Sequence, residues 1–185
     1  MKTAVIYYSM LGNTDYAANK IAEKLRNAAS KDTGEAGPAS DVDQTDTVDL
    51  IRIEPEKAYP DKGAKKFLWG GKSAVMGEMP ALNPYTFDAN RYDRIILGTP
   101  VWASNFTPPM RTFLNENKEI ADKIAGVFVC FSGGGADKAI AKLKTFIGKE
   151  ELTATLILTD PKDHPDPQNE EKIDRFCDTL LNLQA

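Results

Sequence analysis

Five short apolar runs punctuate this chain, and each is followed by a segment long enough to form a helix. The runs are read as strands over Thr3–Tyr8, Thr47–Ile53, Asp93–Gly98, Ile124–Phe131 and Thr153–Leu158. Between them the apolar spacing changes to that of a helix. Asn13–Ala29 places Tyr16, Ala17, Ile21, Ala22 and Leu25 on one face, and Asp137–Ile147 does the same with Ile140, Leu143 and Ile147. Two more helices are read at Thr107–Asn117, with Pro108 or Pro109 in a first turn where a missing N–H costs little, and at Glu170–Leu183. Strands that alternate with helices require a parallel sheet covered on both faces. Right-handed crossovers then leave few topologies, and five such strands commonly take the order 2-1-3-4-5. The Arg-Ile-Ile-Leu-Gly run of the third strand is almost continuously apolar, which suits a central position. The expected fold class is α/β: a three-layer sandwich, with 1–185 forming one domain. A length of 185 residues allows one well-buried core and is short for two.

Two stretches break the alternation. Lys31–Asp46 is polar and aperiodic and reads as a surface loop. Glu54–Pro84 is the least regular region, with a helix expected at about Lys62–Met76 and interrupted by Gly70-Gly71. Lys57, Lys62, Lys65, Lys66 and Lys72 surround Phe67 and Trp69 there, but a net charge of -4 argues against a nucleic-acid binder. A crossover helix with a solvated lysine face is the plainer reading. No apolar run reaches the roughly 18 to 20 residues of a membrane span, and the N-terminus lacks a signal-peptide pattern. A cytoplasmic protein without membrane insertion is expected. Cys130 and Cys177 lie far apart, form no CxxC and read as packed small hydrophobes.

In the order 2-1-3-4-5 the first and third strands are neighbours whose chains depart in opposite directions, opening a crevice beyond their C-terminal ends. Three loops meet there. Ser9-Met10-Leu11-Gly12-Asn13-Thr14 offers hydroxyls, backbone N–H groups and a helix N-terminus, a suitable cradle for a phosphate. The loop itself has no cation, which suits a phosphate held rather than transferred. It is neither a P-loop, since no Gly-Lys-Ser/Thr follows, nor a GxGxxG fingerprint, since Gly12 stands alone. Thr99-Pro100-Val101-Trp102 brings an aromatic ring able to stack on a planar ligand, and the N–H groups of Trp102 to Asn105 are candidate donors to it. Ser132-Gly133-Gly134-Gly135 lets backbone approach a flat edge.

A phosphate cradle, an aromatic stacker and a glycine-lined edge together fit flavin mononucleotide (FMN). The sequence resembles the flavodoxin family in its small flavodoxin-like branch, through Tyr8 to Thr14, Gly98 to Trp102, Pro108, Phe113-Leu114 and Ser132 to Gly134. The resemblance implies a flavodoxin-like sandwich with Ser9, Met10, Leu11, Gly12, Asn13 and Thr14 on the FMN phosphate. It implies Pro100, Val101, Trp102 and Ala103 along the isoalloxazine, with Thr99 shaping that loop. Ser132, Gly133, Gly134 and Gly135 would border the ring or the ribityl chain. Two positions depart from the family: Ala103 stands where a second aromatic is often found, and Met10 where a Ser or Thr is common.

The expected function is that of an FMN-binding protein carrying electrons between redox partner proteins. The alternative is an FMN-dependent NAD(P)H:quinone-type oxidoreductase, with Tyr59 and the Glu54–Pro84 segment walling a nicotinamide site. No catalytic acid–base pair or metal set stands out, and the single histidine, His164, reads as an exposed loop residue. A phosphorylatable receiver domain would need clustered acids after the first strand, where this chain has Tyr7-Tyr8-Ser9. A domain that has lost its cofactor and serves only in protein contacts is the remaining alternative.

Overall fold

The five apolar runs form five parallel strands of one sheet, in the order β2-β1-β3-β4-β5. The strands are β1 (Lys2–Tyr7), β2 (Thr47–Arg52), β3 (Arg94–Pro100), β4 (Ile124–Phe131) and β5 (Ala154–Thr159). The helices are α1 (Asn13–Asp32), α2 (Lys65–Met76), α3 (Pro108–Glu116), α4 (Ala136–Phe146) and α5 (Pro167–Leu181). The structure is a computed structural model that describes residues 1–32, 47–60 and 65–182.

Side-chain alternation along each strand divides the interior into two cores. Ala4, Ile6, Ile95, Leu97, Val127 and Val129 face Met110 and Phe113 of α3 and Leu143 of α4. Val5, Tyr7, Ile96, Phe128 and Leu156 face Ile21 and Leu25 of α1 and Ile173 and Phe176 of α5. Helices α1 and α5 therefore cover one face, and α3 and α4 the other. Among the described residues, one charged side chain enters this interior. Arg94 is buried at the start of β3, where its Nε donates to Thr3 Oγ1 (3.1 Å) and its Nη1 to the Leu180 carbonyl (2.7 Å).

Most element boundaries fall within a residue of the sequence expectation, and four elements differ by more or in kind. Strand β3 runs two residues further than expected, because Thr99 and Pro100 stay in register with Val129 and Cys130. Helix α1 extends through Asp32, and residues 33–46 of the expected loop lie outside the described residues. Helix α2 is described from Lys65 and continues through Gly70-Gly71 rather than breaking there. A Cβ on Gly70 would stand 3.1 Å from Cε3 of Trp102. A bare helix surface is thus what lets the indole approach, and that contact offsets the roughly 1 kcal/mol a glycine costs a helix. Helix α5 starts earlier than expected, at Pro167, capped by Asp166, whose carboxylate accepts from Gln168 N (2.9 Å).

Candidate functional site

Beyond the C-terminal ends of β1 and β3 lies a cavity of about 320 Å³. It opens where α1 leaves for one face of the sheet and α3 for the other. The first loop contributes Ser9, Met10, Leu11, Asn13 and Thr14 to its wall. The second contributes Pro100, Val101, Trp102 and Ala103, and the third Ser132. Gly71, Cys130, Phe131 and Asp160 complete the wall. Gly12, Thr99, Gly133, Gly134 and Gly135 do not line it.

The first loop is shaped by one hydroxyl. Ser9 Oγ accepts from the N–H groups of Gly12 (3.2 Å) and Asp15 (3.1 Å), so it caps α1 internally and keeps only its proton to offer outward. The Thr14 hydroxyl is bonded to the Cys130 thiol, which burial pushes up to about 12. The Asn13 side chain also faces protein: its Oδ1 accepts from Lys162 N (2.9 Å), and its Nδ2 donates to Asp163 Oδ2 (2.8 Å). What the loop presents to a ligand is therefore mainly backbone. The N–H groups of Met10, Leu11, Asn13 and Thr14 have no acceptor among the described residues. Behind the loop, Arg52 donates to the Ser9 carbonyl (3.1 Å) and sits 3.7 Å from Asp15.

The second loop is a tight turn. Trp102 and Asn105 exchange both backbone hydrogen bonds (2.9 and 3.0 Å). Their N–H groups are thus not available to a ligand, contrary to expectation, and only those of Ala103 and Ser104 remain. Ala103 and Ser104 take positive φ (49° and 56°), a conformation non-glycine residues adopt at a cost of order 1–3 kcal/mol each. The turn is fixed by its surroundings. Asn105 Nδ2 donates to the Ala74 carbonyl of α2 (2.8 Å), and Thr99, fully buried, shares a hydrogen bond with Thr107 (2.9 Å). Thr99 is therefore a brace behind the site. The Trp102 ring meets Tyr8 and Tyr59 edge-on, with centroids 5.8 and 4.9 Å away. Burial and Glu54 hold the Tyr8 hydroxyl protonated, and burial does so for Tyr59. Tyr7, also buried, donates to Asp15 (2.7 Å) and is raised as well. None of these phenols is a base at neutral pH.

In the third loop, Gly133 and Gly134 are exposed and touch nothing within 4 Å of a notional Cβ. Gly135, at φ +83°, packs instead on Ser104, whose Oγ would lie 2.1 Å from a Cβ there. The glycines thus partly serve the neighbouring turn. Two residues of the β5–α5 loop were missed in the sequence. Asp160, at φ +36°, lines the cavity and accepts from the Ser132 hydroxyl (2.7 Å). Lys162 lays its ammonium over the first loop, 3.4 Å from the Leu11 carbonyl. Their only sequence signal is position: they follow a strand at the same end of the sheet as the other three loops. His164 is exposed, and no metal-holding cluster occurs among the described residues.

No protein-family model matches the sequence. Solved structures share its architecture. A flavoprotein from Lactobacillus acidophilus NCFM, crystallised in complex with FMN, superposes with a TM-score of 0.61 at 19% identity, over 95% of this chain and 97% of that one. A flavodoxin from the domain Archaea gives 0.58 at 16% identity over 100% of both chains. The fold is flavodoxin-like. Rubredoxin oxygen:oxidoreductase from Desulfovibrio gigas contains the same flavodoxin-like unit: 98% of this chain matches 35% of that one, with a TM-score of 0.56 at 20% identity. In a flavodoxin-like sheet the switch point between β1 and β3 is the place for a ligand, and the cavity lies there.

Proposed function

We propose that the chain binds FMN in this cavity and carries electrons between redox partner proteins. The observation that carries the reading is the set of backbone N–H groups at Met10, Leu11, Asn13 and Thr14, lacking acceptors among the described residues, at the N-terminus of a 20-residue helix beside an apolar slot. Such a set fits a phosphate monoester, and the walls of Val101, Trp102 and Ala103 fit a flat ring. The FMN held by the Lactobacillus acidophilus flavoprotein supports the same choice of ligand. When bound, the flavin supplies the redox chemistry.

The chain's own residues would bind, orient and exclude water. Asp160 and the apolar wall disfavour added negative charge in the cavity, which favours a low reduction potential. No residue is placed as a general acid or base. Val75, Met76 and Met79 are apolar and exposed, at and just beyond the end of the helix whose Gly71 lines the cavity. They form a rim suited to contact with a partner protein. Helix α2 is not long and apolar enough to cross a membrane, nor is any other described helix. A cytoplasmic setting suits the two buried free thiols.

The test is the visible spectrum of the purified protein, followed by identification of the released cofactor. Bound FMN, with no steady oxidation of NAD(P)H by quinone unless a partner reductase is added, is the expected result. Steady NAD(P)H consumption by the protein alone would convert the reading to a quinone-type reductase. Failure to bind added FMN would overturn both.

A further inference from the structure

A lysine distant in sequence reaches the proposed phosphate loop, and two features show the arrangement to be built. The Asn13 carboxamide clasps the β5–α5 loop, accepting from Lys162 N (2.9 Å) and Asp163 N (3.4 Å) and donating to Asp163 Oδ2 (2.8 Å). Asn13 is itself buried, while Lys162 and Asp163 are exposed, so the clasp anchors a surface loop to the buried start of α1. The second feature is Gly12. A Cβ at this residue, which has φ +94°, would stand 3.0 Å from Lys162 Nζ and 3.2 Å from its Cδ. The lysine stem therefore crosses the loop in the space that the missing side chain leaves. Its ammonium ends 3.4 Å from the Leu11 carbonyl, in the loop whose Met10, Leu11, Asn13 and Thr14 N–H groups lack acceptors among the described residues.

We propose that Lys162 is a specificity residue that selects a phosphorylated flavin over its dephosphorylated form, with Asn13 as the residue that positions it. This rests on the FMN reading above. The loop offers neutral N–H donors, which hold any anion modestly. A mobile ammonium beside them adds a charge-assisted contact that only a phosphate-bearing ligand can accept. The competing group is Asp163, whose Oδ1 lies 3.8 Å from Lys162 Nζ. That pair is half-exposed and weak, so a dianionic phosphate competes for the ammonium successfully. Lysine can respond because its ammonium sits on a flexible four-carbon stem. No charge is needed on the first loop itself.

The test is titration of the flavin-free protein with FMN and, separately, with riboflavin, at low and high salt, for the native chain, Lys162→Gln and Lys162→Arg. The expected result is FMN binding about tenfold weaker in Lys162→Gln with riboflavin affinity unchanged, and recovery in Lys162→Arg. The salt dependence of FMN binding should also fall in Lys162→Gln. Native FMN binding that Lys162→Gln leaves unchanged, or equal losses for both flavins, would overturn the role of Lys162 alone. A native chain that binds neither flavin would overturn the FMN reading and this inference together.

Discussion

Trp102 has two duties that a substitution will separate. It lines the cavity, and its ring also meets Gly70, Tyr8 and Tyr59. Trp102→Ala should weaken FMN binding by roughly 1 to 3 kcal/mol, the scale of aromatic stacking. It should also lower the urea midpoint of the flavin-free protein, since the indole is what covers the bare helix at Gly70. Trp102→Phe should keep more of both. Unchanged FMN affinity in the alanine variant would remove the ring from the ligand. The glycines of the third loop give a second comparison at this scale. Gly135→Ala places a side chain at φ +83° and against Ser104, so a loss of roughly 1 to 3 kcal/mol in chemical denaturation is expected. Gly133→Ala meets nothing within 4 Å and should stay within about 0.5 kcal/mol of the native protein. Equal losses at the two positions would show that the loop, rather than the Ser104 contact, sets the cost.

At the scale of elements, β4 and α5 each bring one thiol into the same core. Cys130 and Cys177 are both buried, and burial raises both from an ordinary value near 9 to about 12. A thiol whose folded value is raised stabilises the fold fully below the unfolded value and loses that contribution as pH rises towards the folded one. Stability should therefore fall between about pH 9 and 12. In the native protein at pH 8 a thiol-specific reagent should modify Cys177, which lies away from the cavity, only at the rate of unfolding. Rapid modification of Cys177 under native conditions would contradict the packing. Much of this element plan was legible in the sequence, because strand alternation and helix periodicity are local signals. The α2 helix was not read through Gly70-Gly71, because its support comes from Trp102, more than thirty residues away. Lys162 and Asp160 were not legible for a related reason. They sit in an aperiodic Pro/Asp loop; pairing of β5 with β4 brings Asp160 to Ser132, and the packing of α5 beside α1 brings Lys162 to the first loop. Thr99 and Gly135 could be marked as part of the site region. Their duties, bracing Thr107 and accommodating Ser104, depend on contacts that no local pattern carries.

For the whole molecule, the position of the cavity has a thermodynamic consequence. Its first loop leads into α1, whose apolar face belongs to one core, and its second leads into α3, which belongs to the other. A ligand spanning both loops binds only when the two layers are assembled on the sheet, so its affinity is available to global stability. A ligand at 100 times its dissociation constant adds about 2.7 kcal/mol. For a chain of this size each kcal/mol moves Tm by roughly 2–4 °C, so FMN at that excess should raise Tm by about 5–10 °C. Riboflavin at the same concentration should raise it less, because it leaves the Met10, Leu11, Asn13 and Thr14 N–H groups without an acceptor. Thermal melts with increasing FMN measure this directly. The rise should track ligand concentration logarithmically, and all structural probes should shift together. A Tm indifferent to saturating FMN would mean that the cavity does not bind it. A shift confined to a local probe near Trp102 would mean that ligand orders the rim without coupling the two layers.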